Sequence, residues 1–291
     1  YDEPESASEY AEVNALSDQF EAVKNELSPM LADYPALQAS FNNLKHIVTA
    51  QHPDDATYDK MWKDVGSTQL TGSYIYCPQY QYLNTAQQRA YYDQEDALWW
   101  YGCCFPTEPF ATYHINSPLV AARAVSWMMY DYDIDGLLYA SVNNWGPYNS
   151  DGSVAFFDIW NGYTGGTPGD SILVYPGSEY GVYGPIGTVR LENIRESNED
   201  YEYLWLLENE YGITDLSAYT NGLYEGAIVT GVYDGQTIDP DGDGNTDAVS
   251  IHHNNRIAML TKLEQLSVAQ NGATQIAPGN EGFVRGQKIK P

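Results

Sequence analysis

The chain has 291 residues, enough to bury a full core as one large domain or two ordinary ones. Its 40 acidic side chains against 13 basic ones leave a formal net charge of -27, which repels phosphate backbones and anionic membranes and argues against nucleic acid as a partner. No run reaches the roughly eighteen apolar residues of a membrane span, so no membrane insertion is expected, and the acidic surface suits a secreted, extracellular protein. The 26 tyrosines and 7 tryptophans are many for this length. Aromatic faces of this kind stack on the apolar C–H surfaces of sugars, although composition alone favours the plainer account, tyrosine on strands and loops.

The chain opens Tyr1-Asp2-Glu3-Pro4. Behind it, Tyr10, Val13, Leu16, Phe20, Val23 and Leu27 recur at three- and four-residue steps and predict a helix from Glu5 to Leu31, ended near Pro29. Leu44 to Ala50 reads as a buried strand closed by Gln51-His52-Pro53, Gly72 to Pro78 as a second strand, Thr85 to Asp93 as a helix, and Ala97 to Cys103 as a third strand. A helix follows from Ser117, read as its N-cap before Pro118, to Tyr130. Gly136 to Val142 is a fourth strand that delivers Asn143, Asn144 and Trp145 at its end. Residues 146–187 read as a long loop, Thr188 to Glu210 as a strongly helical segment, and Asn255 to Leu266 as a last helix.

Strand and helix in alternation indicate parallel βαβ units, and no G-x-G-x-x-G or P-loop follows any strand, so a (β/α)8 TIM barrel is preferred over a nucleotide-binding sheet. Chemistry in such a barrel sits at the C-terminal strand ends, where the polar and aromatic residues just named fall. Asp2-Glu3 stands in the same relation to the helix behind it, and is read as the end of a strand whose body lies upstream. Four strands follow it, whereas a closed barrel needs eight. The expected fold is therefore α/β, the C-terminal part of a barrel from the end of strand 4 to strand 8 with C-terminal helices. Residues 1–210 form the half barrel, 211–272 a helical extension with a loop insertion, and 273–291 a tail or linker. The remaining N-terminal half of the same protein, or a companion chain, is expected to pack against residues 40–140.

Asp239, Asp241, Asp243, Asn245 and Asp247 alternate through a Gly-containing loop, a calcium signature in which a structural ion takes oxygen ligands. Ser250 stands at the twelfth position, where an EF-hand places its bidentate glutamate. The three cysteines, Cys77, Cys103 and Cys104, allow at most one bridge and one free thiol, and a bridge from Cys77 to its neighbours on the next strand is one reading.

Taken in order, Asp2-Glu3-Pro4, the run Trp99 to Cys104, Ile115 with Arg123, Gly136 to Tyr139 leading to Trp145, Asp170 to Gly177, and Arg190 to Arg195 with Glu199 to Leu204 resemble the catalytic domain of glycoside hydrolase family 123. The sequence departs from that pattern at Asn116, where relatives commonly have Asp, and in the insertion near residues 220–250. The resemblance implies a β-N-acetylgalactosaminidase that uses substrate-assisted catalysis. In it Asp2 orients the substrate's acetamido group and Glu3 acts as general acid, then base. It implies a glycan substrate. Tyr80, Tyr101, Asn143, Asn144, Trp145 and Trp160 are the candidates for holding its acetamido group or stacking on its ring, with rim packing as the competing account for each. His52 is a candidate hydrogen-bond partner of the substrate, with a structural role as the alternative. Arg123, Arg190 and Arg195 are expected in structural ion pairs. The rival readings are a non-catalytic carbohydrate-binding relative and a hydrolase of a different glycan.

Overall fold

The computed structural model describes residues 2–4, 6–50, 74–90, 97–160, 167–230 and 248–273. His52 and the loop from Asp239 to Asp247 lie outside them.

Helix α1 (Ala7–Leu27) starts at a reciprocal cap. The Ser6 hydroxyl accepts from the Glu9 amide at 3.3 Å, and the Glu9 carboxylate accepts from the Ser6 amide at 2.8 Å, so two amides left over by the first turn are satisfied. Its inner face buries Tyr10, Val13, Asn14, Ser17 and Lys24. The expected apolar stripe divides, because Leu16 and Val23 are each 50% exposed. A short 3-10 turn over Ser28–Leu31 and helix α2 (Pro35–Asn42) lead into strand β1 (His46–Ala50).

Strand β2 (Tyr74–Pro78) pairs parallel with β1, His46 opposite Tyr74 through Ala50 opposite Pro78. Helix α3 (Ala86–Ala90) precedes β3 (Trp99–Gly102), which pairs parallel with β4 (Gly136–Tyr139) from Trp99–Gly136 to Gly102–Tyr139. Single parallel bridges, Tyr76 to Leu98 and Gln79 to Tyr101, join the two ladders. The strand order is thus β1-β2-β3-β4, each parallel to the next and in chain order, without the reversal of a doubly wound sheet. The result is a mixed α/β fold. Gly136 has a packing reason to lack a side chain: a Cβ there would meet the Trp99 indole at 2.3 Å.

Between β3 and β4 runs helix α4 (Leu119–Asp131), N-capped by Pro118 rather than Ser117. The Ser117 hydroxyl bonds that of Thr112 instead. Alanines, Val125, Trp127 and Met128 leave α4 buried on most sides, and each large side chain so placed contributes about 1.5–3 kcal/mol. The region after β4 is not a bare loop, since β5 (Val174–Pro176) and β6 (Pro185–Gly187) form an antiparallel pair inside it.

Helix α5 (Val189–Trp205) is N-capped by Thr188, whose hydroxyl accepts from the Leu191 amide, and ends in a π turn over Leu206–Glu210. It packs against α4 and α7 (Ala248–Ala273), which is longer than the Asn255–Leu266 segment read from the sequence. Helix α6 (Ser217–Thr220) and the two-residue strands β7 (Tyr224–Glu225) and β8 (Ile228–Val229) lie between α5 and α7.

Three helices meet at one carboxylate. Asp200 on α5, its side chain fully buried, accepts from Arg123 Nε (2.8 Å) and Trp127 Nε1 (3.1 Å) on α4 and from Arg256 Nε (2.7 Å) on α7, with His252 Nε2 of α7 3.3 Å away. Burial acts to raise its pKa, but the neighbouring His252, Arg123 and Arg256 outweigh it and hold the carboxyl well below the usual range. Arg123 and Arg195 do pair with acids as expected. Arg195, Glu192 and Glu199 form their pairs in solvent, where screening and side-chain entropy leave them little net worth.

Candidate active site

The sequence places Asp2 and Glu3 only four residues before helix α1, too early for any local signal to say what they face. In the fold they reach the C-terminal end of β1. Thr49, next to last in that strand, donates its hydroxyl to Asp2 Oδ1 at 2.8 Å and accepts the Glu3 amide at 2.9 Å. One threonine thereby fixes both residues of the pair.

Glu3 has a φ of 43°, the left-handed region that non-glycine residues enter at a cost of about 1–3 kcal/mol. That conformation turns its side chain toward β3, where the Tyr101 hydroxyl donates to Glu3 Oε1. Burial of Tyr101, then the Glu3 carboxylate beside it, raise the phenol far above its ordinary pKa, so it stays a neutral donor. Tyr101, like Thr49, is the next-to-last residue of its strand. Asp2 remains exposed and Glu3 half-buried. The two carboxylates thus sit at the C-terminal ends of parallel strands in different surroundings.

Tyr80 lies elsewhere. It is 3% exposed, its hydroxyl donates to the Ala111 carbonyl, and its ring packs on Trp100 and against the backbone of Gly102, where a Cβ would meet it at 2.6 Å. Its position is that of a core residue supporting the end of β3.

The residues after β4 form a second group. Asn143 is exposed and bridges Ile172 through its backbone, and the Asn144 amide donates to the Ser171 carbonyl at 2.9 Å. Trp145 donates its indole N–H to the Val174 carbonyl at 2.6 Å, which spends its polar edge on the fold. Its ring joins Phe156, Phe157, Trp160 and Tyr180 around an open cavity of about 310 Å³, with Asp158 and Glu179 as the charged groups in its wall. Trp160 is 64% exposed.

The Asp170–Ile172 turn, singled out in the sequence only as part of a pattern, organises the space between these groups. Asp170 is 1% exposed, accepts from the Tyr139 hydroxyl at 3.4 Å, and has its pKa raised by burial. Arg190 was expected in an ion pair; instead its guanidinium collects main-chain oxygens, donating Nη1 to Tyr113 (2.6 Å) and Gly169 (2.8 Å) and Nη2 to Ile172. Gly169, at φ 73°, lets the guanidinium approach, since a Cβ there would lie 2.7 Å from Nη1. Three carbonyls converging from a turn and a loop leave no pattern in the sequence, which is why the residue types alone pointed to an acid partner.

All three cysteines are free thiols, Cys77 fully buried and Cys103 and Cys104 half-buried. The bridges from Tyr76 to Leu98 and Gln79 to Tyr101 set Cys77 level with Trp99, so Gly102 at the strand end already lies about 10 Å further along. Cysteines whose Cα atoms lie more than about 7 Å apart cannot be bridged without moving the backbone, and Cys77 is therefore no partner for Cys103 or Cys104. Among the described residues no cluster of three or more His, Cys, Asp or Glu side chains could hold a metal ion, and no helix is long and apolar enough to cross a membrane.

In α/β enzymes the chemistry sits where parallel strands end at their C-termini, often beside aromatic side chains. The family model described as glycoside hydrolase 123, catalytic domain, matches residues 28–207. That is more than half of the chain, and the chain belongs to this family. The matched range takes in Thr49, Tyr101, Trp145, Trp160 and Arg190, while Asp2 and Glu3 precede it. No curated protein matches the sequence.

Proposed function

We propose that this chain is a secreted hydrolase of β-linked N-acetylhexosamine, N-acetylgalactosamine first among them, acting by substrate-assisted, retaining catalysis. The observation that carries this reading is the unequal pair at the strand ends, Asp2 held by Thr49 and Glu3 by Tyr101. Adjacent carboxylates cannot straddle a sugar as an acid and a nucleophile about 5 Å apart would. They suit a reaction in which the substrate brings its own nucleophile. The 2-acetamido oxygen attacks the anomeric carbon while Asp2 accepts the amide N–H and Glu3 gives its proton to the leaving oxygen. Glu3 then takes a proton from the water that opens the cyclic intermediate. Tyr101 holds Glu3 in place throughout, and the aromatic cavity at Trp145 and Trp160 offers faces on which sugar rings stack.

The reading includes a (β/α)8 barrel, of which β1 to β4 are consecutive staves. Parallel sheets bury both faces and their edges. The exposed Leu16, Val23 and Leu27 of α1 fit a further β/α unit, from the same protein or a companion chain. Calcium at Asp239, Asp241, Asp243, Asn245 and Asp247 belongs to the same reading on the strength of ligand spacing. A chelator is expected to lower the melting temperature and open that loop to protease, and an unchanged melt would remove the ion from the account.

Comparison of two aryl glycosides tests the mechanism. The 2-acetamido-2-deoxy-β-galactoside should be hydrolysed with retention, and the β-galactoside with a 2-hydroxyl should not. Equal turnover of both would refute acetamido participation, and binding of N-acetylgalactosamine without turnover of either would make this chain a carbohydrate-binding relative.

A further inference from the structure

The sequence sets two cysteines side by side where β3 ends, and the fold brings their sulfurs to 3.6 Å. We infer that Cys103 and Cys104 are a redox-active pair that closes to a vicinal disulfide at the rim of the candidate site. Both are half-buried, so small oxidants reach them. The register of β2 and β3 denies them Cys77, leaving each the other's partner within the chain.

Their surroundings hold the pair in position without spending the thiols. The Cys103 amide donates to the Phe105 carbonyl at 2.9 Å, His114 Nε2 sits 2.9 Å from the Cys103 carbonyl, and Gln79 reaches Cys103 Sγ at 3.9 Å. Cys103 follows Tyr101 by two residues, so closing the ring stiffens the turn behind the tyrosine that positions Glu3.

The exchange needs a disulfide oxidant such as oxidised glutathione. The Cys103 thiolate attacks one of its sulfurs and expels one glutathione thiolate, leaving a mixed disulfide. The Cys104 thiolate then attacks Cys103 Sγ and expels the second. The cysteines lose two protons to water and two electrons to the oxidant, which leaves as two reduced glutathiones. Burial, then the neighbouring Cys103, push the Cys104 thiol up to about 12, so the second step is the slower and speeds up with pH. Adjacent Cα atoms are about 3.8 Å apart, closer than ordinary bridges allow, so the ring is strained and easily reduced.

The test is to equilibrate the full chain with oxidised glutathione at mildly alkaline pH, block free thiols in denaturant, and map the peptides. One blocked thiol, at Cys77, and a 103–104 peptide lighter by two hydrogens are expected, with all three thiols recovered after dithiothreitol. In Cys104→Ser, Cys103 should keep a glutathione adduct that the native pair sheds. Three blocked thiols in the oxidised native chain, a persistent glutathione adduct on it, or a bridge between molecules would each overturn the inference. A two-residue ring removes little chain entropy, so the melting temperature is not the readout.

Discussion

Asp200→Asn is expected to cost about 3–5 kcal/mol of folding stability, the usual penalty for leaving buried partner charges uncompensated. The amide matches the carboxyl in size but brings no charge to Arg123 and Arg256, and its N–H2 faces donors where lone pairs stood. Helices α4, α5 and α7 lose their shared point together, so denaturant melts should show one cooperative transition at lower midpoint. Arg195→Ala, which breaks pairs exposed to water, is the control and should leave the melt almost unchanged. The pH dependence follows from the sign of the shift. The Asp200 carboxyl titrates below its unfolded value, so its contribution is complete above the ordinary carboxylate pKa of about 3.9 and fades only as the pH falls toward the folded value. The deficit of the variant should be level through neutral and mildly alkaline pH. A deficit under 1 kcal/mol at pH 7 would show that solvent reaches the cluster.

Glu3→Gln is expected to remove about 10²–10⁴-fold from kcat on an aryl β-N-acetylgalactosaminide, the range general acid–base catalysis supplies, with KM little changed. Glutamine keeps an oxygen for the Tyr101 hydroxyl, so the loop holding Asp2 to Thr49 should stay in place. Tyr101→Phe separates positioning from proton transfer: it leaves the acid present but free to rotate, and should lower kcat by less than Glu3→Gln does. Unchanged turnover in Glu3→Gln would take Glu3 out of the mechanism.

The elements with strong local reasons were the legible ones. Apolar runs stopped by Pro78 and by the cysteines after Gly102 marked β2 and β3, and the small-residue helix after Pro118 had no other good account. What the sequence obscured were relations across the chain. Thr49 stands 46 residues from Glu3, and no pattern near either announces that the one holds the other. Tyr80 follows a strand as rim residues do, but the 3-10 turn it opens, Tyr80–Leu83, coils it back under β3. Leu16 and Val23 fit the helical period as well as Val13 does, yet the sheet covers only part of α1. Periodicity reports that a helix has an apolar side; how wide a neighbour covers it is decided in three dimensions.

Arg190 carries a consequence beyond its own bonds. Loops that gather several main-chain oxygens at one point often do so around a bound cation, which comes and goes with concentration, chelators and acid. Here a guanidinium tethered to α5 takes that place for the oxygens of Tyr113, Gly169 and Ile172. Its positive charge is covalently tethered to the chain and cannot dissociate. The floor beneath the aromatic cavity is therefore set once, at folding, and keeps its shape in media where ion-dependent loops would relax. Variation in the segment that carries Trp160 can alter what the cavity accepts without unsettling the support on which it rests.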